Sequence, residues 1–221
     1  LTIENRPDLN ETITVPEDIF EELTAQDASV AGFNPYEQPT VRDLLYGVLL
    51  PSGADACETL ARAVGGSEEG FVAMMNQKAE ELGLTNTHFE NCTGLHNDNH
   101  YSTCRDIAVL MSECLKSDTF REIVTREVYT TEATASHPEG ITLYDTMLHR
   151  FTSYEMSTTL ENGAVIEGGK TGFTDEAGQC LVSFAEYGGE EYILVTAEAM
   201  TDSGSAVDSI ADASTVYGRL Q

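Results

Sequence analysis

Positive charge is the scarcest commodity in this sequence. Lysine occurs three times, at positions 78, 116 and 170, and arginine brings the basic total to 11 against 38 acidic residues, a net charge of −27 over 221 residues. The acids lie in small groups (Glu17, Asp18, Glu21, Glu22; Glu68, Glu69; Glu186, Glu190, Glu191) rather than in one tail. Such a field repels phosphate backbones and anionic lipid, so nucleic acid is excluded as the expected partner and an acidic, solvated surface is expected instead. No stretch approaches eighteen consecutive apolar residues, and the first residues form neither a basic nor an apolar targeting segment, so no membrane span is expected within these residues. The first residue is Leu1, from which we expect a piece of a longer product. Five cysteines (Cys57, Cys92, Cys104, Cys114, Cys180) include no Cys-x-x-Cys pair and are odd in number, which points away from a disulfide framework and a redox motif. Tryptophan is absent, and 6 prolines with 18 glycines are too few for a low-complexity chain. What is present, 41% hydrophobic and 22% charged residues, is ordinary for a globular chain long enough to bury a core.

The order of patterns predicts helices first and strands later. Thr12 to Val15 alternates like a short strand. Thr40 is placed to cap a helix from Val41 to about Leu50, whose Val41, Leu44, Leu45 and Val48 follow the i, i+3, i+4, i+7 spacing, and Pro51 closes it. A second helix is predicted from Ala54 to the Gly65-Gly66 stop. A third opens at Ser67, with Phe71, Met74, Met75, Ala79 and Leu82 on one face and Gly83 at its end. Ser102-Thr103 followed by Asp106 predicts a capped helix through Leu115, and Ser117-Asp118 leads into another over Phe120 to Val128. Val165 to Phe173, Gln179 to Glu186 and Glu191 to Ala197 read as strands, and Ala206 to Leu220 as a closing helix. The expected architecture is α/β of the α+β type, helices covering an antiparallel sheet, in a single domain over 1–221.

Three motifs have chemical content. Gly168-Gly169-Lys170-Thr171-Gly172 ends a predicted strand; glycines there let a substrate backbone lie close, and Lys170 and Thr171 offer a cation and a hydroxyl to a carboxylate. A Lys-Thr-Gly triplet arises by chance in about one chain in twenty of this length, so alone it is weak. Pro51-Ser52-Gly53-Ala54 forms a sharp turn between helices, where Ser52 is either an N-cap or a hydroxyl aimed into a cleft. His88, Cys92, His96, His100 and Cys104 recur every four residues, a metal-like spacing on a helix. Gly94 and Asn97-Asp98-Asn99 break that helix, so no metal and no cofactor is expected.

Together the segments Thr40 to Ala56, Gly66 to Phe89, Thr93-Gly94-Leu95-His96, His100 to Asp106 and Gly169 to Gly178 resemble the low-molecular-mass penicillin-binding proteins, the serine-type D-alanyl-D-alanine carboxypeptidases of the penicillin-recognising serine enzymes. That family has three motifs, Ser-x-x-Lys, Ser-x-Asn and Lys-Thr-Gly, around a cleft between a helical subdomain and a five-stranded sheet flanked by helices. The resemblance implies that β-lactamase/transpeptidase-like fold here. Lys170-Thr171-Gly172 matches the third motif and Ser52-Gly53-Ala54 stands in the place of the second, with Ala54 where the family usually has Asn. No Ser-x-x-Lys exists: the residues three before the lysines are Met75, Glu113 and Glu167. Leu1 to Asn5 resembles the end of the helix bearing that motif, so the expectation is a chain truncated just after it and also lacking the family's C-terminal β-domain. An arginine that some relatives use for the substrate carboxylate has no counterpart, Ser203 to Ala206 intervening.

The resemblance implies a hydrolase of the cell wall, exported to the cell envelope. Its nucleophile, upstream of this chain, would attack the carbonyl between two terminal D-alanines of a peptidoglycan stem peptide. Ser52 and Lys170 would be catalytic, Thr171 and Gly172 would bind substrate, and the backbone N–H of Phe173 would donate to the oxyanion. β-Lactam antibiotics would be inhibitors, and the 221 residues alone are expected to be inactive. Two other readings stay open: a pseudoenzyme that binds wall peptide without turnover, suggested by Ala54, and a class A β-lactamase, for which no glutamate can be assigned as the deacylating base.

Overall fold

The computed structural model describes residues 1–199 and 207–221. Their elements run α1 (Thr2–Asn5), α2 (Ile19–Ala25), α3 (Val41–Leu49), α4 (Ala54–Gly65), α5 (Glu68–Glu81), α6 (Cys104–Cys114), α7 (Asp118–Val124), β1 (Val128–Thr130), β2 (Thr142–Tyr144), α8 (Leu148–Ser153), β3 (Val165–Thr174), β4 (Gly178–Tyr187), β5 (Glu190–Ala199) and α9 (Asp208–Tyr217). They fall into two compact units: residues 1–101 with 128–145, and residues 102–127 with 146–221.

In the first unit, helices α1 to α5 are joined by one two-stranded antiparallel sheet, with Val128 opposite Tyr144 and Thr130 opposite Thr142. Helix α3 starts where the sequence predicts. Thr40 and Asp43 form a capping box, the Asp43 N–H donating to Thr40 Oγ1 at 3.1 Å and the Thr40 N–H to Asp43 Oδ2 at 3.1 Å. Asp43 is wholly buried and its other oxygen accepts from Tyr129 Oη at 2.9 Å and the Glu132 N–H at 3.1 Å, which ties the segment around β1 to the helix start. The Tyr129 ring stacks on Tyr46 at 3.7 Å. Val41, Leu44, Leu45 and Leu50 pack with Ala56, Leu60 and Ala61 of α4 among the buried residues. Removing their apolar surface from water is the main drive for this helical part. Helix α5, capped by Ser67, buries only Ala79 of its predicted face; Phe71, Met74, Met75 and Leu82 are half-buried.

In the second unit, three antiparallel strands lie in the order β3-β4-β5, three of the five that the resemblance leads one to expect, with helices on both faces. Alternation along β4 explains this. Leu181 and Ala185 join Met147, Phe151, Ile166, Ile210, Ala213 and Tyr217 in one cluster, whereas Phe184 joins Met111, Leu115 and Val124 in another. Tyr217 is buried against the first face and its Oη donates to the Ser183 carbonyl at 2.9 Å; burial holds its hydroxyl up to about 12.

Two expected elements differ in the structure. Helix α7 ends at Val124, not Val128, because Val128 to Thr130 are β-branched and aromatic residues that pair with β2. Thr12 to Val15 forms only a bridge, Thr12 to Thr40, with isolated bonds from Ile13 to Pro39 and from Val15 to Glu37; Pro39 has no N–H to continue a ladder. Helices α2 and α8 and the β1–β2 hairpin were not anticipated. The start of the closing helix at Ala206, like the Ser203 to Ala206 segment, lies outside the described residues.

Candidate active site

Ser52 occupies the turn between α3 and α4 with φ +62°, a left-handed backbone that a non-glycine residue adopts only where its surroundings impose it. What imposes it is the pair of residues that follow. Gly53 is the N-cap residue of α4, with no side-chain cap, so Ser52 is not the N-cap that local sequence also allowed. A Cβ on Gly53 would lie 2.6 Å from the Ala31 Cβ and 2.7 Å from its nitrogen, so only glycine fits. Asp55, fully buried, accepts N–H bonds from Ala31 at 2.7 Å, Gly32 at 3.0 Å, Phe33 at 3.0 Å and Ala56 at 3.0 Å. Four backbone donors on one carboxylate fasten the 31–33 loop to the first turn of α4 and fix the Ser52 turn between them. Ala54 is buried at 4% exposure, leaving the Ser52 turn without the amide that the resemblance would place there.

Lys170, Thr171, Gly172 and Phe173 lie on β3, which is an edge of its sheet among the described residues. Lys170 is half-buried and its Nζ donates to the Thr171 carbonyl at 2.9 Å. Thr171 Oγ1 is 2.6 Å from Thr146 Oγ1, a hydroxyl pair that orients it. The Phe173 side chain is 58% exposed. The glycines divide in role. A Cβ on Gly168 would overlap the Val124 carbonyl, and one on Gly169 the Val182 carbonyl, so both serve the protein's own packing rather than a substrate. Gly172 differs from them: a Cβ there would meet only the Cys180 Cβ, at 3.8 Å.

Beside this strand, in the same unit, opens a cleft of about 390 Å³ bounded by Thr103 and Cys104 at the start of α6, Lys170 and Gly172 on β3, Cys180 on β4 and Glu198 on β5. Opposite Cys180 the β4–β5 register slips: Leu181 faces Thr196 while Gln179 faces Ala199, and Glu198 in this bulge has φ +55°. Thr196 Oγ1 is buried there without a hydrogen-bond partner. A second opening of about 700 Å³ near α8 has Glu127 and Glu167 but neither lysine nor arginine in its lining, and so offers an anionic substrate no cation.

Among the described residues the five spaced by four do not converge on one point, although His88 and His100 both bond Glu90. His88 Nε2 meets Glu90 Oε1 at 2.9 Å, His96 Nε2 meets Asp98 Oδ1 at 3.3 Å, His100 Nδ1 accepts from the Glu90 N–H at 3.3 Å, and Cys104 opens α6. Burial lowers the pKa of His100. Cys92 instead meets Glu58 and Glu68, residues to which the spacing gave no pointer.

The fold is that of a DD-peptidase. The Streptomyces K15 DD-transpeptidase crystal structure matches with a TM-score of 0.79 and 30% identity, covering 98% of this chain and 82% of that one. The D-alanyl-D-alanine carboxypeptidase family profile matches residues 3–201, and the chain belongs to that family. D-alanyl-D-alanine carboxypeptidase DacF of Bacillus subtilis is 36% identical over 76% of this chain and 40% of its own length. The D-alanyl-D-alanine carboxypeptidase of Streptomyces sp. strain K15 is 35% identical over 84% of this chain and 63% of its own. The chain thus spans 40% to 63% of these curated relatives. No helix among the described residues is long and apolar enough to cross a membrane.

Proposed function

We propose that this chain is the main part of a penicillin-binding, transpeptidase-like domain of a serine-type D-alanyl-D-alanine carboxypeptidase that trims the terminal D-alanine from peptidoglycan stem peptides in the cell envelope. The single observation that supports it most is the Lys170-Thr171-Gly172 edge strand, with an open face at Gly172 and a cleft alongside, in a chain of this family. In the whole protein, a Ser-x-x-Lys segment preceding Leu1 supplies the nucleophile. Its Oγ attacks the carbonyl between the terminal D-alanines, and the lysine of that segment takes its proton. The C–N bond then breaks, D-alanine leaves with a proton relayed through Ser52, and water hydrolyses the ester. Lys170 and Thr171 hold the terminal carboxylate, one by charge and one by its hydroxyl, and the Phe173 N–H joins that of the nucleophile in the oxyanion hole. β-Lactams, as mimics of the peptide, acylate the same serine.

Ala54 favours a second reading. Without an amide beside Ser52, substrate and lysine lose one orienting group, and the protein binds wall peptide without turning it over. Release of D-alanine from a pentapeptide ending in D-Ala-D-Ala separates the two: the enzyme releases it, whereas binding without release establishes the pseudoenzyme.

A further inference from the structure

In the helical unit, three side chains from separate segments converge: Glu58 from the second turn of α4, Glu68 from the first residue of α5, and Cys92 from the loop after Phe89. One donor atom from each lies within 4.8 Å of the others. Cys92 Sγ is 3.4 Å from Glu58 Oε1, and the Cys92 N–H donates to Glu68 Oε1 at 3.1 Å. Glu58 is 7% exposed and the half-buried Glu68 stands close to it, so a positive charge placed between the two carboxylates is favoured. The protein supplies little. Arg62 reaches Glu58 at 3.4 Å through Nε while its guanidinium tip is engaged by Asp18 at 2.6 Å. Two candidates can supply the charge: a proton shared by the carboxylates, or a metal ion. Without a cation the Cys92 thiol donates its hydrogen bond to Glu58 Oε1; a cation at the same point displaces that proton and takes the sulfur as a ligand together with the two oxygens.

We propose that Glu58, Glu68 and Cys92 bind one divalent cation of the borderline-soft class, with Zn²⁺ as its natural member. Two carboxylate oxygens and a thiolate are an accepted tetrahedral set with water as the fourth ligand, and tetrahedral ligands at zinc bond lengths lie roughly 3.4 Å apart. The Cys92–Glu58 separation already has that value, and the third donor closes by up to about 1.4 Å, within the reach of a rotamer adjustment of the half-buried Glu68. Binding is balanced by release to solvent of the Cys92 thiol proton and of any proton the carboxylates share. Bound in this way, the ion cross-links α4, the start of α5 and the 90–92 loop.

The test uses the full chain stripped with chelator and titrated with Co²⁺ as a spectroscopic stand-in. One equivalent is expected to raise a near-ultraviolet thiolate-to-cobalt charge-transfer band that one equivalent of Zn²⁺ then removes. Cys92→Ser, a change of one atom at a half-buried site, is expected to lose the band while keeping the wild-type circular dichroism. Glu68→Gln is expected to weaken Co²⁺ at least about tenfold. No thiolate band at saturating Co²⁺ in a folded sample, or a band that survives Cys92→Ser and so belongs to another cysteine, overturns the proposal and leaves the shared proton as the counter-charge.

Discussion

The two candidate catalytic segments are held in opposite ways. The Ser52 turn is a strained backbone fastened from outside by a buried carboxylate that reaches twenty-odd residues back along the chain, from Asp55 to the 31–33 loop. The Lys170 strand pairs in unbroken register with β4 from Gly168 to Thr174, after a slip between Ile166 and Gly168, and its special residues are glycines that let neighbouring strands and carbonyls approach. The lesson is that a motif's local sequence identifies the strand, whereas the turn depends on residues that the motif does not contain.

That comparison is broken most severely at Asp55. Asp55→Ala leaves four backbone N–H groups without their acceptor in a buried place and is expected to cost about 4 kcal/mol, read by urea unfolding. A loss under about 1 kcal/mol would show that the turn is held by something else. Next is Lys170→Ala in the longer protein that bears a Ser-x-x-Lys segment, expected to slow acylation by penicillin about 10²- to 10³-fold with little change in melting temperature. Gly169→Ala should cost about 2 to 3 kcal/mol because its Cβ overlaps the Val182 carbonyl.

A smaller effect is expected from pH. Burial first, and then Glu68, push Glu58 up to about 7 from its ordinary 4.5, so the folded metal-free protein keeps a proton that the unfolded chain has released. The stability contributed by this proton is therefore full below about pH 4.5 and is lost as pH rises toward 7, by less than about 3 kcal/mol, and Glu58→Gln removes this contribution. The smallest effect separates the glycines: Gly172→Ala, with its nearest neighbour at 3.8 Å, is expected to change stability by no more than about 0.5 kcal/mol while lowering acylation, the reverse of a purely structural glycine.

Much of this architecture is legible in the residues. Caps at Thr40, Ser67, Thr103 and Ser117 mark four helix starts correctly because each is a local hydrogen bond to an N–H two or three residues on. The three strands of the sheet follow from alternation and glycine turns. What local reasoning missed depends on distant partners: Val128 leaves the helical pattern because β2 lies opposite it. Glu58, Glu68 and Cys92 meet although they are spread over three segments. The glycines before Lys170 suggested room for a substrate, but two of them face the protein's own carbonyls, a distinction that only the neighbouring strand and helix reveal. Similarly, the period of four in the histidines and cysteines gives no sign that one of its members, Cys92, meets Glu58 and Glu68.

The proposal with most at stake is that Lys170 and Ser52 each contribute to acyl transfer in the whole protein. It is tested most directly by the intact mass, before and after benzylpenicillin, of a protein extended upstream through Ser-x-x-Lys. The account predicts a single adduct of one penicillin on the wild type, formed far more slowly in Lys170→Ala and in Ser52→Ala. No adduct on a folded wild-type sample would contradict it and make the wall-peptide-binding pseudoenzyme the leading reading of Ala54.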